Sequence, residues 1–507
     1  MDTAIRVAKN TLFLYVRIVV NVLISLYSTR IILDALGVED FGIYNLVAGA
    51  IAMLTFLNSA MAEASQRFMS YAHGEDNTIK QLHIFNVSAT MHILIAIVVS
   101  IILEIAGYFL FSGILEIPES RVGVAKIIFQ FMVISTFFTI LKVPYDAVLN
   151  ARENMLLIAI LGILQAFIKL GIAIYISYSK FDSLIAYGLL MALLSILMIA
   201  ISMIYCHSKY GEVKLNLVSR FEKKLFKEML SFASWTLLSH SAWIITSQGA
   251  SVVLNSFFGV AINAAQGIAN QISGQLANLS NTMHNALNPV IIKSEGKNDR
   301  PKMLEASMFG NKISFFVICF FSIPLIVEMP YVLGLWLKDV PEYAVVFCRL
   351  SLIRLQVGAL THTFYVAIGA IGRIKKDAIW ESIVFISILP LSYVMYRFGA
   401  SPQAIYKNLI VAFIGISIIR VYFLNRLGGL SVAYFMKNIV LRCLFVYLVT
   451  IIIAGIPGLF QEDGLLRLMT VSFFSSLSFF IVVFSLGLNG VERVQVMMVM
   501  KGLRGHR

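Results

Sequence analysis

Long apolar runs separated by short polar segments extend along almost the whole chain. A helix needs about twenty apolar residues to cross a bilayer, whereas a transmembrane β-strand needs about ten residues of alternating polarity. The pattern therefore predicts an all-α integral membrane protein. It predicts about fourteen transmembrane helices, at residues 10–33, 41–64, 83–112, 122–149, 155–178, 184–206, 228–256, 260–287, 307–330, 342–370, 377–396, 402–425, 436–456 and 465–488.

The longest loop predicts where the chain divides. It is a strongly basic segment, residues 207–227, between the sixth and seventh helices. We expect an N-lobe of helices 1–6 at 1–206 and a C-lobe of helices 7–12 at 228–425. Residues 426–507 would add helices 13 and 14 and a cytoplasmic tail.

An internal repeat supports this division. When the chain is aligned with itself so that Gly37 falls on Gly259, Gly74 falls on Gly296 without a gap. The same alignment matches Leu57, Met61 and Ala64 with Leu279, Met283 and Ala286. Both copies have a turn, a helix and then a loop with glycine and charged residues, and repeated halves are a frequent plan for transporters.

Composition and charge agree with a membrane protein. Of 507 residues, 59% are hydrophobic and only 13% are charged, and the mean hydropathy is +0.85. The net charge is +13, but most lysines and arginines fall in loops on one side of the predicted bundle. Such asymmetry indicates topology, with both termini in the cytoplasm, and some attraction to anionic lipids. We expect no nucleic-acid partner.

The sequence lacks the motifs of common enzymes. It has no Walker loop, no G-x-S-x-G elbow and no H-E-x-x-H motif. We also expect no pair of carboxylates on one face of a predicted helix. The cysteines Cys206, Cys319, Cys348 and Cys443 are far apart in apolar segments, without metal or redox spacing. We therefore predict no catalysis, no cofactor and no metal site.

The first helix has a polar face that includes Arg17. The polar positions Asn10, Arg17, Asn21, Ser25 and Ser28 are spaced to share one side of the helix. An arginine that faces lipid at such depth costs several kcal/mol. Arg17 either snorkels or pairs structurally, or it lines a cavity for an anion, and we predict the cavity. Further candidates for substrate binding are Asn21 and, nearer the outer end, Arg30.

The eighth helix is the most polar of the predicted spans. Its amides, hydroxyls and histidine leave little surface for lipid, so it must be enclosed or line water. We predict that Asn270 binds substrate and that Gln266, Ser273, Asn281 and His284 line a lumen with Ser25 of helix one. Amide hydrogen bonds between helices are the alternative. Trp235, His240 and Trp243 of helix seven are suited to stacking on sugar rings.

The tenth helix carries the deepest charges of the second half. Arg349, Gln356 and Thr363 share one face, and Arg354 and Thr361 lie on a neighbouring one. We predict that Arg349, Arg354 and Gln356 bind substrate and that Thr361 lines the lumen. Lys407 and Arg420 lie near opposite ends of helix twelve, where we expect interfacial anchors.

The charges within the predicted spans are mainly cationic. Arg17, Lys142, Lys169, Arg349 and Arg354 lie at depth, and Lys142 can pair with Asp146 one turn later. Carboxylates such as Glu104 and Glu328 are placed toward helix ends. Because guanidinium groups bind phosphate with two-pronged contacts, this balance favours an anionic cargo over cationic drugs.

Three segments resemble one family of exporters. They are Leu36-Gly-Val-Glu-Asp-Phe-Gly-Ile-Tyr-Asn, Leu57-Asn-Ser-Ala-Met with Gln66-Arg67-Phe, and Val143-Pro-Tyr-Asp-Ala with Ala151-Arg-Glu-Asn-Met. With them, nearly the whole chain resembles the Wzx-type O-antigen flippases of the multidrug/oligosaccharidyl-lipid/polysaccharide (MOP) exporter superfamily.

The resemblance implies a V-shaped bundle like that of the MATE transporters, in the bacterial inner membrane. It implies alternating access that moves undecaprenyl-diphosphate-linked oligosaccharide from the cytoplasmic to the periplasmic leaflet. Arginines in the first helix and lumen carry the family's substrate role, which we transfer to Arg17 and, less directly, to Arg30, Arg349 and Arg354. A polysaccharide polymerase and a chain-length regulator would be partners. The alternatives are a cation-coupled small-molecule exporter of the same fold, a peptidoglycan-precursor flippase, or a non-transporting scaffold.

Overall fold

The computed structural model describes residues 2–52, 55–111, 117–216, 222–337, 339–490 and 492–494. These residues are almost entirely helical and include no β-strand. The helices are α1 (Asp2–Ala52), α2 (Thr55–Gly74), α3 (Thr78–Phe109), α4 (Glu119–Ala151), α5 (Met155–Tyr178), α6 (Ser183–Lys209), α7 (Lys223–Phe258), α8 (Val260–Gly296), α9 (Arg300–Trp336), α10 (Ala344–Ala359), α11 (His362–Ile371), α12 (Ile374–Arg397), α13 (Ala404–Gly428), α14 (Val432–Phe435), α15 (Leu441–Gly455) and α16 (Leu465–Val482).

The helical content confirms the predicted all-α class. Among the described residues, eleven helical segments are long and apolar enough to cross a membrane, so the chain is a multi-pass membrane protein. The predicted span 41–64 is helical over its described residues, 41–52 and 55–64, and falls outside those eleven. The predicted spans 228–256 and 260–287 are helical and fall outside them because they carry many polar residues. The total of fourteen and the cytoplasmic termini stay predictions.

The chain divides into two compact units. One comprises Asn10–Leu237, called the N-terminal unit below. The other, the C-terminal unit, comprises the described residues from Leu238 onward with those of Met1–Lys9. The predicted boundaries at 206 and 227 lie N-terminal to this division, and residues 217–221 of the predicted connector and 495–507 of the tail lie outside the described residues.

Each unit has its own packing centre. In the N-terminal unit, α4 packs against α2, α3 and α6. In the C-terminal unit, α8, α9 and α10 pack together, and α15 and α16 pack on α9. The last two helices thus enlarge the core around α9, where Phe316 contacts Phe479 of α16 with ring centroids 6.2 Å apart.

The first turn of each copy repeats in the predicted alignment. Gly37 has φ 75° and ψ 169°, and Gly259 has φ 77° and ψ −176°. This region of backbone space is open almost only to glycine. It breaks the helix 2–52 at residue 37, which lies in the gap predicted between the first two spans.

The second turn of each copy repeats as well. Asp76 and Asn298 both have a left-handed conformation, with φ 53° and 57°. The next residue caps a helix in each unit: the side chain of Asn77 accepts from the Lys80 N–H, and that of Asp299 accepts from the Lys302 N–H. These matched turns confirm the repeat at the level of local structure.

Two predicted helices differ in detail. The predicted helix 342–370 is interrupted at Leu360–Thr361 and forms α10 and α11. The predicted helix 307–330 continues to Trp336, so Glu328 lies within α9, at a kink with φ −93° and ψ 17°, and not near the end. Pro330 removes the N–H that would otherwise bond the carbonyl of Ile326.

Candidate functional site

Arg17 is half-buried in the N-terminal unit. Its side chain lies over Gly162 of α5, where an added Cβ would stand 2.5 Å from the Arg17 Cδ. The Arg17 Nε is buried and has no hydrogen-bond partner among the described residues. The carboxylate whose charge acts on Arg17 is Asp146, and Lys142 holds that carboxylate through an Nζ–Oδ1 contact of 2.9 Å. Arg17 itself makes no hydrogen bond to that carboxylate within the described residues.

The other predicted site residues of α1 differ in how exposed their side chains are. The Asn21 Oδ1 is buried and has no hydrogen-bond partner in the described part of the chain. Ser25 and Arg30 are exposed. Within this unit, Arg17 Nε is therefore an unused hydrogen-bond donor and Asn21 Oδ1 an unused acceptor, and both are available to a ligand.

The C-terminal unit contains a cavity of about 260 Å³. An aromatic wall is formed by Trp243, Phe385 and Phe413, whose ring centroids lie 5.2 to 5.9 Å apart. The polar lining includes His240, Asn281, His284, His362, Glu381 and Arg420. Two of the residues predicted to line a lumen, Asn281 and His284, line this cavity, and their part in transport stays a prediction.

An ion pair lies at the polar side of this cavity. Arg420 Nη2 donates to Glu381 Oε1 across 2.7 Å, and Arg420 Nε lies 4.0 Å from Asp377 Oδ2. All three side chains are buried. The expectation that Arg420 is an interfacial anchor was wrong, because the carboxylates of α12 hold it inside the unit.

The same observation corrects the prediction that no carboxylates pair on one face. Asp377 and Glu381 lie one turn apart on α12, and both face Arg420. The spacing was visible in the sequence. The long-range partner was not, because Arg420 lies on the next helix, α13.

A histidine stack forms another part of the lining. The rings of His284 and His362 are 4.0 Å apart at their centroids with an interplanar angle of 27°. His284 Nε2 lies 3.1 Å from Ser280 Oγ and 3.2 Å from Ser314 Oγ. The His284 Nδ1 is buried without a hydrogen-bond partner among described residues, so it can bond a ligand or water.

Arg354 lies against the aromatic wall. Its guanidinium carbon is 5.2 Å from the ring centre of Trp243 and 5.1 Å from that of Phe413. The sequence placed Arg354 beside His362 and amides, but its contacts are these two rings. Attraction of a cation to aromatic faces stabilises the charge without neutralising it. Arg354 has no carboxylate hydrogen bond within the described ranges.

Arg349 has a different environment. Its Nε donates to the Ile326 carbonyl at 2.8 Å, and its Nη2 donates to the Val327 carbonyl at 3.2 Å. These carbonyls precede the kink at Glu328, whose carboxylate accepts from Arg467 of α16 with contacts of 2.9 and 3.1 Å. The geometry gives Arg349 a structural partner, and its predicted substrate role stays untested.

The remaining candidates differ in burial. Gln356 donates from Nε2 to Ser322 Oγ at 2.6 Å, and the Thr361 and Ser417 hydroxyls are 2.8 Å apart. Gln266 and Ser273 are buried, whereas Asn270 is exposed. The contacts of Gln356 and Thr361 are hydrogen bonds to side chains of other helices, and their predicted roles stay predictions.

The architecture of the chain is that of the MATE transporters of the MOP superfamily. A crystal structure of a MATE point mutant matches with a TM-score of 0.72 at 13% identity, over 85% of this chain and 96% of that one. An outward-facing multidrug resistance MATE transporter matches with a TM-score of 0.72 at 12% identity, over 84% of this chain and 97% of that one.

A third structure comes from a MOP superfamily transporter of Pyrococcus furiosus, described as having a binding pocket of reverse polarity that suggests a different function. It matches with a TM-score of 0.70 at 12% identity, over 85% of this chain and 96% of that one. No protein-family model and no curated protein sequence matches the chain. At these identities the likeness establishes the fold.

Proposed function

We propose that this protein is a flippase that moves an undecaprenyl-diphosphate-linked oligosaccharide from the cytoplasmic to the periplasmic leaflet of the bacterial inner membrane. The fold is one that transporters use, and three sequence segments resemble the polysaccharide exporters. In this proposal Arg17 of the N-terminal unit and Arg354 of the C-terminal unit are each candidate ligands for phosphate groups of the cargo, and polar side chains of α1 and of α8 are candidate contacts for its sugars.

The observation that carries the proposal is the environment of two guanidinium groups. Neither Arg17 nor Arg354 donates a hydrogen bond to a carboxylate in the described residues. A cation held by glycine packing or by aromatic rings keeps its charge available, whereas one in a carboxylate pair, such as Arg420, is neutralised. A diphosphate offers the two-pronged acceptors that guanidinium prefers.

The test is export of the glycan by single variants. In a strain deleted for its own copy of the gene, Arg17→Ala and Arg354→Ala should each lower surface polysaccharide by at least about tenfold, the loss expected for a charged hydrogen bond. Arg373→Ala is the matched control, because Arg373 is exposed in the α11–α12 turn, and should export normally. Normal export by both Arg17→Ala and Arg354→Ala would overturn the anion site.

A cation-coupled small-molecule exporter is the second candidate. Buried Asp377 and Glu381 favour it, because a pump for cationic drugs needs acids inside its helices. If it is correct, expression should raise resistance to lipophilic cations such as ethidium, and Glu381→Gln should remove that resistance. The flippase proposal expects no change in resistance and a loss of polysaccharide on deletion.

A further inference from the structure

The cavity of the C-terminal unit is lined by three different kinds of chemical group. Its lining joins an aromatic wall, a buried ion pair and a histidine stack, and Arg354 lies against the rings of that wall. We propose that this cavity binds a single uncharged sugar ring. The inference rests on the proposed function, of which it would be a sugar subsite on the other side chains of the wall that Arg354 contacts.

The charges of the lining favour an uncharged ligand. Arg420 and Glu381 already satisfy one another at 2.7 Å, and Asp377 lies beyond them at 4.0 Å. A phosphate would have to displace Glu381 or approach two carboxylates, and a cation would meet Arg420. Each arrangement brings like charges together where water is scarce, which is costly.

A hydroxyl group avoids this cost because it can donate and accept at once. It can donate to Glu381 and accept from Arg420 without breaking the pair. The His284 Nδ1, buried and without a hydrogen-bond partner in the described residues, can serve a second hydroxyl, as can the amide of Asn281. A ligand with several hydroxyls on a small frame satisfies these groups together.

The aromatic wall suits the other face of a sugar ring. The C–H groups of a pyranose are weakly positive, and aromatic faces are negative. Trp243 and Phe413 offer rings of this kind, and the cavity volume is about 260 Å³. Sites for drug-sized ligands begin at about 300 Å³. There is room for one ring and not for a whole repeat unit.

Direct binding tests the proposal on the full-length protein in detergent. The probes are the methyl glycosides of glucose, galactose, mannose, rhamnose, N-acetylglucosamine and N-acetylgalactosamine, each titrated to saturation or to its solubility limit. At least one should change the tryptophan fluorescence saturably and raise the unfolding temperature. In Trp243→Phe the fluorescence change should disappear while the thermal shift remains, because phenylalanine keeps an aromatic face.

Two variants connect the binding to the cavity. Glu381→Gln should weaken the glycoside about tenfold, the loss expected for a hydrogen bond to a charged group. Asn281→Leu replaces a lining amide with a larger apolar side chain at an exposed position, so it should abolish binding even if Glu381→Gln does not fold. Glu305→Gln, an exposed carboxylate on α9, is the matched control and should bind as the unaltered protein does.

Three results would overturn the proposal. They are no response to any glycoside, a response that Asn281→Leu retains, and a tryptophan response to sodium pyrophosphate or tetraphenylphosphonium instead of a glycoside. The outcome is separable from the flippase test. Glycoside binding with normal export in Arg17→Ala and Arg354→Ala would keep the sugar site and reject the diphosphate site. Loss of export in those variants without glycoside binding would do the reverse.

Discussion

Lys312 and Glu492 form a buried ion pair between two distant parts of the sequence. Lys312 Nζ lies 2.8 and 3.0 Å from the two carboxylate oxygens of Glu492, and the lysine side chain is fully buried in α9. Glu492 also accepts from the backbone N–H of Asn489, whose side chain accepts from the Glu492 N–H. The last described residues are thereby fixed to the middle of the C-terminal unit.

Removing one partner of this pair should destabilise the protein strongly. Glu492→Gln leaves a lysine charge buried and should cost about 3–5 kcal/mol, whereas Lys312→Met combined with Glu492→Gln should recover most of that loss. Thermal unfolding in detergent measures both. Lys80→Gln is the control, because its pair with Glu75 is 40% and 29% exposed and should contribute under about 1 kcal/mol. A double variant as unstable as Glu492→Gln would contradict this account.

Arg349 and Pro330 should be energetically coupled. Pro330 frees the Ile326 carbonyl, and Arg349 supplies the missing donor at 2.8 Å. Arg349→Met should therefore cost about 1–3 kcal/mol in the native sequence, the penalty for an unpaired buried acceptor. The cost should shrink in a Pro330→Ala background, where the helix can bond its own carbonyl. A double-mutant cycle from unfolding curves measures the coupling, and additive effects would show that Arg349 has another role.

Gly162 should matter for the position of Arg17 more than for stability. In Gly162→Ala the new methyl group would stand 2.5 Å from the Arg17 Cδ, so the flexible arginine has to move. We expect near-normal unfolding, since alanine favours helix by about 1 kcal/mol, together with reduced export.

Gly171→Ala is the matched control for that variant. Gly171 lies on the same helix, and a methyl group there would meet no atom within 4 Å. It should unfold and export at least as well as the native chain. Equal export by Gly162→Ala and Gly171→Ala would mean that the placement of the Arg17 guanidinium is not important.

The contribution of Asp182, in the loop before α6, to the stability of the protein should depend on pH. Partial burial alone would raise the pKa of Asp182, but hydrogen bonds from Arg121 Nη1 at 2.6 Å and from the Ile185 N–H hold that pKa below its ordinary value. A lowered folded-state pKa stabilises the protein above the unfolded-state pKa, and the contribution disappears as pH falls through the folded-state value.

Asp182→Asn isolates that charge because asparagine still caps α6. The variant should unfold at a lower temperature than the native protein at pH 7. The difference should diminish as the pH falls below the ordinary range of an aspartate. Unfolding temperatures measured from pH 7 down to pH 3 give the comparison, and a gap that is constant across this range would exclude the Asp182–Arg121 pair as its source.

The sequence was sufficient for the helices and the repeat but not for the long-range contacts. Apolar runs near bilayer length predicted most helices, and the internal alignment identified Gly37 and Gly259, whose backbones then proved to match. The position of Arg354 within the predicted tenth helix also indicated that its charge lies deep in the membrane. Its partners Trp243 and Phe413 lie on two other helices, and no periodicity within α10 could reveal them.

The contacts around the cavity could not be predicted from the sequence for the same reason. His284 was predicted on the polar face of α8, yet its stacking on His362 joins α8 to α11, which are far apart in the sequence. Asp377 and Glu381 were overlooked because they are at the start of an apolar span, where charges commonly face the interface. Only the position of Arg420 on α13 shows that they face inward.

The glycine bends at residues 37 and 259 also bear on how this chain can evolve. Each uses a backbone conformation in which every L-residue with a side chain is strained. Natural selection therefore faces the same restriction twice, once in each copy of the repeat. Descendants of this chain should keep both glycines, or lose a bend altogether, while the residues around them drift apart.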